Sequence, residues 1–255
     1  AVYSNPSLRV VNIQSYISGN ASAVWIRFSW TTNYPTQATD PNVWVAYGWM
    51  VDDVSLFQIP ANLMEIENAV TGGYWVDFHN YIGSGLDAIY GLDYSVTPVD
   101  QIAARPFSCE AVIRNAGSSS QSAVLKYDVT GPATYSGSSV AIVLAGSDSA
   151  IVAAIPTFSP GVGQYTVEMW AEADSAGAGI ITTMSDIVTK NIEVSPYLYG
   201  KDEGGATGAR TIGGPDDQNE ITTRFEIYAN ADLTALRVFI DDESVVGASI
   251  YAILY

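Results

Sequence analysis

Apolar and polar residues alternate, one by one, through most of the chain between positions 106 and 195. A period of two is typical of β-strands with one buried face, and helical periodicity is almost missing from the chain. The alternation predicts six strands separated by turn residues: 108–114, 122–129, 139–144, 149–155, 163–171 and 187–194. Strands at this spacing, in about 90 residues, are typical of an immunoglobulin-like sandwich. Tyr165, Val167 and Met169 share one face of the fifth strand and are predicted to point into its core.

Alternation continues towards both ends of the chain, so the predicted fold class is all-β, with tandem β-sandwiches. Four segments are expected: a partial sandwich at 1–60, a connector with short strands at 61–105, the immunoglobulin-like sandwich at 106–195, and a partial C-terminal β-sandwich at 196–255. A short helix-like stretch lies at 62–68. The terminal segments carry their own strand patterns, at 24–30, 47–56, 223–229, 235–241 and 248–255. Neither terminal segment has enough strands for an independent core.

Reactive side chains are scarce. The chain has one histidine, His79, one cysteine, Cys109, and 10 basic residues against 27 acidic ones. Most catalytic constellations use His, Cys or Lys beside a partner, so we expect no catalytic residues and no enzyme. A glycosidase needs only two carboxylates, which this chain could supply. A glycosidase is nevertheless not expected, because the chain is predicted to consist of short modules in tandem. Cys109 lies in an alternating pattern and is predicted to be a buried structural thiol.

The net charge of −17 bears on partners. Phosphate backbones and anionic membrane surfaces are bound by clustered Lys and Arg, so nucleic acid is not an expected partner. No stretch reaches the ~20 apolar residues that a spanning helix needs, so no membrane span is expected. The acidity is explained by solubility or by divalent-cation binding, and the two can coexist.

The N-terminal strand patterns resemble a known family. Residues 47–55, YGWMVDDVS, preceded by residues 24–30, VWIRFSW, resemble the last strands of MAM-like jelly rolls. These modules occur in secreted Bacteroidota proteins, including the cleaved-adhesin domains of surface proteases and haemagglutinins. The resemblance implies that residues 1–60 are the C-terminal part of a jelly roll. It also implies an extracellular or cell-surface location reached through the type IX secretion route.

The remainder of the chain resembles modules that often follow in such proteins. The turn Asn115-Ala116-Gly117 is similar to one in CARDB-like or fibronectin-like sandwiches. Three later segments are similar to a further β-sandwich: 199–204 (YGKDEG), 233–236 (LTAL) and 246–251 (VGASIY). The partial sheets at the two ends imply either a larger polypeptide or completion by other chains.

Asp52 and Asp53 are the predicted metal ligands, with Ca²⁺ as the expected ion. Calcium takes six to eight oxygen ligands, among which carboxylates are common. The resembling adhesin modules have a calcium site near the equivalent strand. Adjacent residues of a strand point to opposite faces, so only one of the two aspartates would ligate a given ion directly. The alternative is a strand-end pair in which one carboxylate accepts hydrogen bonds from loop amides.

Two serines and one tryptophan complete the candidate sites. Ser149 and Ser175, in Asp-Ser-Ala tripeptides, resemble Bacteroidota O-glycosylation sites and are predicted glycan acceptors. Sugars stack on flat exposed rings, and Trp44, beside the polar loop at 40–42, is the predicted ligand contact.

These observations favour a non-enzymatic extracellular adhesion or structural protein. Its expected partners are glycans, surface proteins or copies of itself, and strand exchange at open sheet edges would give a filament or surface layer. Two alternatives stay open. The chain can instead be the accessory region of a secreted peptidase or other hydrolase, or a carbohydrate-binding module.

Overall fold

The computed structural model describes residues 11, 13, 25–29, 51, 53–56, 58–72, 75–77, 89–91, 94–175, 179–201, 225–238 and 247. The chain divides into two compact units. One is Tyr3–Ile59, and the other runs from Pro60 to Tyr255 together with Ala1–Val2. Among the described residues no helix has the length and apolar character needed to cross a bilayer.

The described residues of the unit Tyr3–Ile59 form no regular strand. Residues 25–29 and 53–56 are exposed and irregular, although the sequence predicts strands there. Trp25, for example, is 94% exposed. Alternation becomes a strand only when a neighbouring strand supplies backbone partners, and the sheets of the described residues do not include these stretches.

The second unit contains one short helix and twelve strands within its described part. The helix, α1, is Val99–Ala104 and lies between β4 and β5. In chain order the strands β1 to β12 are Met64–Thr71, Trp75–Asp77, Ile89–Gly91, Val96–Pro98, Cys109–Asn115, Gln121–Thr130, Tyr135–Ser138, Ile142–Leu144, Ser149–Ala153, Gly163–Asp174, Ile181–Met184 and Val188–Ser195. The described structure is therefore all-β in character, as predicted.

Two sheets form the sandwich. The smaller has three antiparallel strands in the order β1-β5-β9. The larger has seven strands in the order β4-β12-β10-β6-β7, with β11 paired to β10 and β8 paired to β6. Strand β4 runs parallel to β12, and the other pairs of this sheet are antiparallel. Strands β2 and β3 make a separate pair.

The core lies between the inner faces of these two sheets. Ala111 and Ile113 of β5 face Leu125 and Tyr127 of β6, and all four side chains are at most 1% exposed. The inner row of β10, Tyr165, Val167 and Met169, is buried as predicted. Cys109 is buried and free, so its predicted burial is confirmed. Each large apolar side chain removed from water contributes about 1.5–3 kcal/mol.

All six predicted strands of the sandwich are present, but the one predicted at 139–144 is shorter, because β8 covers only residues 142–144. Ser139 directly follows β7, a strand that the sequence did not predict. The Ser139 hydroxyl accepts a hydrogen bond from the Leu125 amide at 2.9 Å, and the Ser139 amide donates to the Leu125 carbonyl at 2.7 Å. A side chain thus replaces one backbone partner, and the edge strand bends there.

Two predictions for the flanking segments are wrong. The helix-like stretch at 62–68 lies largely in strand β1, because pairing with β5 outweighs local propensity. The segment 61–105, expected to be a connector with short strands, holds the short strands β2, β3 and β4, and it also supplies β1 and the unpredicted helix α1. Residues 225–238, where two strands were predicted, are irregular.

The Asn115 side chain joins the two sheets at one end of the sandwich. Its amide nitrogen donates to the carbonyls of Ser119, Leu144 and Ala145 at 2.7–3.1 Å. Its amide oxygen accepts from the Gly117 amide at 3.0 Å and from the Gln121 side chain at 2.8 Å. Asn115 is fully buried, and its side chain therefore satisfies turn, strand and loop groups that water cannot reach.

Asn115→Ala is expected to lower the free energy of unfolding by about 3 kcal/mol, because it leaves several buried donors and acceptors without partners. Chemical denaturation followed by circular dichroism measures the change. Ser119→Ala is the matched control, because Ser119 is exposed and offers Asn115 only its backbone carbonyl. Equal stability of the two variants would contradict the role assigned to the Asn115 amide.

Stability is expected to fall in strong alkali through Tyr127. Burial, and then the neighbouring Cys109 thiol, raise the pKa of Tyr127 from 10.0 to about 12. A pKa raised by folding means that the stabilising contribution is complete below pH 10 and is lost as the pH rises towards about 12. Denaturation curves across this range measure the loss, and Tyr127→Phe is expected to make it smaller. If the free energy of unfolding of Tyr127→Phe falls as steeply with rising pH as that of the parent, Tyr127 is not the group responsible for the loss.

Candidate functional site

A polar cleft of about 770 Å³ opens on the outer face of the seven-stranded sheet. Two rows of side chains cross the strands on its floor. In the first row, cross-strand pairing places Thr130 of β6, Thr166 of β10 and Asn191 of β12 side by side. In the second row, Gln164 lies beside Glu193. Neighbouring strands lie about 4.8 Å apart, so the first row is about 10 Å wide.

The irregular segment 225–238 contributes one wall of the cleft through Arg237. Gln101 of helix α1 anchors this segment. Its side-chain oxygen accepts from the amides of Tyr228 and Ala229 at 2.8 and 3.1 Å, and its side-chain nitrogen donates to the Ala229 carbonyl at 3.0 Å. Gln101 is 1% exposed, so these bonds form away from water. The helix that the sequence did not predict therefore supports the wall.

Aromatic packing fixes the start of the same segment. The rings of Tyr94, Tyr199 and Phe225 lie 4.8–6.1 Å apart, and the Lys201 ammonium lies 5.2 Å from the centre of the Tyr94 ring. The Tyr94 hydroxyl accepts from the Glu226 amide, and the Tyr199 hydroxyl donates to the Glu226 carbonyl. Burial, followed by the nearby Tyr94, raises the pKa of Tyr199 well above its ordinary value, so this hydroxyl stays protonated.

The cleft carries little net charge. Among the described residues that line it, only Glu193 and Arg237 are charged, and they are of opposite sign. The remaining polar groups are amides and hydroxyls, and the Thr166 hydroxyl donates to the Asn191 side-chain oxygen at 3.1 Å. The chain as a whole has a net charge of −17, whereas the two charges in the cleft offset each other. The chemistry of the cleft favours a neutral ligand with many hydroxyl groups.

Trp170 lies farther along β10 on the same outer face, four residues beyond Thr166 and thus about 13 Å away. Its indole nitrogen donates to the Glu172 carboxylate at 2.8 Å, and the Lys126 ammonium lies 2.7 Å from the other carboxylate oxygen. Burial raises the pKa of Glu172, but the hydrogen bonds from Lys126 and Trp170 and the charge of Lys126 together lower it below its ordinary value. The indole ring is consequently held in one orientation.

The structure tests few of the predicted site residues. Asp52 and Trp44 lie outside the described residues. Asp53 is exposed and has a left-handed backbone, with a φ of 51°. Ser149, at the start of β9, and Ser175, just after β10, are both exposed, as glycan acceptors must be. Their modification stays a prediction.

The calcium site also stays a prediction. In the described part of the chain, no three His, Cys, Asp or Glu side chains come together as metal ligands would. Asp53 is the one predicted ligand that lies among the described residues. The cleft residues, in contrast, were missed by the sequence reasoning. Gln164, Thr166 and Asn191 occupy the polar positions of ordinary alternating strands, and nothing in their spacing distinguishes them from other solvent-facing residues.

Comparison with known proteins adds little. No family model matches the sequence, and no curated protein matches it. Among solved structures, a partial match is the Pseudomonas fluorescens alkylpurine DNA glycosylase AlkC bound to DNA containing an abasic site analog, with a TM-score of 0.30 and 8% identity. The match covers 52% of this chain and 30% of the glycosylase chain. A similarity of this size carries no argument about function.

Glu172→Gln is expected to lower the free energy of unfolding at neutral pH by about 1–2 kcal/mol, because it removes a charge-assisted pair with Lys126. A pKa lowered by folding means that the contribution is present above the ordinary carboxyl pKa and is lost as the pH falls through the lowered one. The difference in the free energy of unfolding between the variant and the parent should therefore become smaller at acid pH. Denaturation curves at neutral and acid pH measure it, with Glu168→Gln, an exposed acid on the same strand, as the control.

Proposed function

We propose that this protein is a non-enzymatic, extracellular adhesion or structural protein whose sandwich binds glycans in the polar cleft. The observation that supports the proposal is the chemistry of the cleft floor: amides and hydroxyls arranged in two rows across rigid strands, with opposite charges that offset one another. Sugars present many neutral donors and acceptors, and a preformed surface of this kind binds them without ordering a loop.

The wider composition supports the same class of partner. A net charge of −17 opposes phosphate backbones and anionic membranes, but it does not oppose neutral glycans. The scarcity of His, Cys and Lys supports binding over catalysis. In this proposal the protein is secreted to a cell surface of the Bacteroidota type, and surface proteins and copies of itself are its further partners. Calcium at Asp52 or Asp53, glycans on Ser149 and Ser175, and a ligand contact by Trp44 belong to the proposal as predictions.

A glycan array of plant, algal and bacterial oligosaccharides, probed with the purified chain, tests the proposal. The strongest binder is then titrated by calorimetry against the parent chain and against Thr166→Ala and Asn191→Ala. Each variant removes hydrogen bonds from the cleft floor, and each is expected to weaken binding about tenfold, the equivalent of ~1.4 kcal/mol. A parallel titration with chelator shows whether a divalent cation contributes.

Thr189→Ala is the matched control. Thr189 is exposed on β12, two residues from Asn191, and it does not line the cleft. The Thr189→Ala variant should bind the glycan with the parent's affinity. An array on which nothing binds, or cleft variants that bind as tightly as this control, would overturn the glycan proposal.

A further inference from the structure

The second row of the cleft floor continues onto a third strand. Cross-strand pairing places Gln164 of β10 beside Glu193 of β12, and Glu193 beside Val96 of β4. The residues that follow, Val194 and Thr97, are buried, so Glu193 and Val96 lie on the outer face of the sheet. Neighbouring strands lie about 4.8 Å apart, and a carboxylate therefore lies directly beside an aliphatic side chain in the cleft floor.

Leu198 adds a second aliphatic side chain at the same place. It lines the cleft and is 39% exposed. Its backbone is fixed by the buried Ser195 hydroxyl, which accepts from the Leu198 amide at 2.7 Å and donates to the Leu198 carbonyl at 2.8 Å. Two residues later, Gly200 exchanges backbone hydrogen bonds with Val96 at 2.9 and 3.2 Å, so this turn lies beside β4. Val96 and Leu198 together form the apolar corner of the cleft.

The two charged side chains of the cleft are available to a ligand. Glu193 is half-buried and Arg237 is exposed. Within the described part of the chain, neither the Glu193 carboxylate nor the Arg237 guanidinium takes part in an ion pair or a side-chain hydrogen bond. A carboxylate accepts hydrogen bonds only, and a guanidinium donates them only. The cleft therefore offers an acceptor beside the apolar corner and a donor on its wall.

A secondary amide that ends in a methyl group matches these three features. Such an amide is planar and trans, so its N–H and its methyl group point to one side and its carbonyl points to the other. A surface that binds it needs an acceptor next to an apolar contact, with a donor for the carbonyl. A hydroxyl group, in contrast, makes no use of an apolar corner. Among sugar substituents, the acetamido group has this chemistry.

We propose that the glycan bound in the cleft carries an N-acetylated amino sugar. Glu193 accepts a hydrogen bond from the acetamido N–H, the acetyl methyl group packs against Val96 and Leu198, and Arg237 donates to the acetamido carbonyl. The proposal rests on the proposed function, glycan binding in the cleft, and narrows it to one class of sugar. The ligand is neutral, so the net charge of −17 does not oppose its binding.

Calorimetry with two trisaccharides tests this selectivity. Triacetylchitotriose and cellotriose have the same linkage and differ only in carrying acetamido or hydroxyl groups. The parent chain is expected to bind triacetylchitotriose about tenfold more tightly, because cellotriose leaves the apolar corner and the hydrogen-bonding groups beside it unmatched. Equal affinities, or no binding of either trisaccharide, would overturn the selectivity. Glycan binding itself is a separate result, since it fails only if the cleft variants have no effect or no glycan binds.

Two variants test the residues that recognise the acetamido group. Leu198→Ser is expected to lower the affinity for triacetylchitotriose about fivefold and to leave the affinity for cellotriose unchanged, because only the methyl group contacts the apolar corner. Glu193→Ala should also reduce the ratio of the two affinities, because it removes the acceptor of the acetamido N–H. Thr166→Ala, in the first row of the floor, should weaken the binding of both trisaccharides and leave their ratio unchanged.

Tyr197→Ser is the matched control, since Tyr197 is 88% exposed, directly precedes Leu198 and does not line the cleft. This variant should bind both trisaccharides with the parent's affinities. Equal losses for the two trisaccharides in Leu198→Ser would contradict the role of the apolar corner. Circular dichroism of each variant establishes that it is folded.

Chitotriose without its acetyl groups tests whether charge, and not the acetamido group, causes binding. This trisaccharide is a cation, and the chain has a net charge of −17. At about 0.15 M salt, where charges more than about 8 Å apart are screened, it should bind more weakly than triacetylchitotriose. Tighter binding of the cation than of the acetylated form would overturn the proposal.

Discussion

The sandwich depends on one buried amide, that of Asn115, which joins its two layers. Asn115 ends β5 in one sheet, and its side chain bonds the loop after β8 and the start of β6 in the other. Gln121 extends this network to the hydroxyl of Thr182 on β11 at 3.1 Å. A hydrophobic core holds the sheets together but does not fix the residue at which each strand begins. The amide network fixes these positions, because a shifted register would leave a buried polar group unpaired, at a cost of about 1–3 kcal/mol.

Polar groups also decide the shape of the outer surface. Gln101 holds the irregular segment 225–238 through three hydrogen bonds, so that Arg237 lies beside the strands of the larger sheet. The cleft is consequently made by a floor of paired strands and a wall whose anchor, Gln101, lies more than a hundred residues away from it in sequence. A preformed surface of this kind loses little entropy on binding, which suits the recognition of neutral, hydroxyl-rich molecules.

Much of the sandwich was predictable, because strands β5, β6, β9, β10 and β12 carry a clear period of two and their buried rows follow from it. The predictions failed where neighbours outweigh local pattern. Residues 62–68 become a strand because β5 lies beside them. The strand predicted from Ser139 starts only at Ile142, because the Ser139 hydroxyl takes a backbone partner. The cleft was not predictable: Thr130, Thr166 and Asn191 are brought together by register, which a single sequence does not reveal.

The pattern of residues along the chain was enough to establish the all-β class, the inward rows of the sandwich and the burial of Cys109, because alternation along a strand is a local property that needs no knowledge of partners. It also determined the acidic, nucleophile-poor surface. The neighbours of each strand and the set of polar side chains that share a cleft became known only from the folded chain. Those features depend on contacts between residues far apart in the chain, and their energies exist only once the sheets have formed.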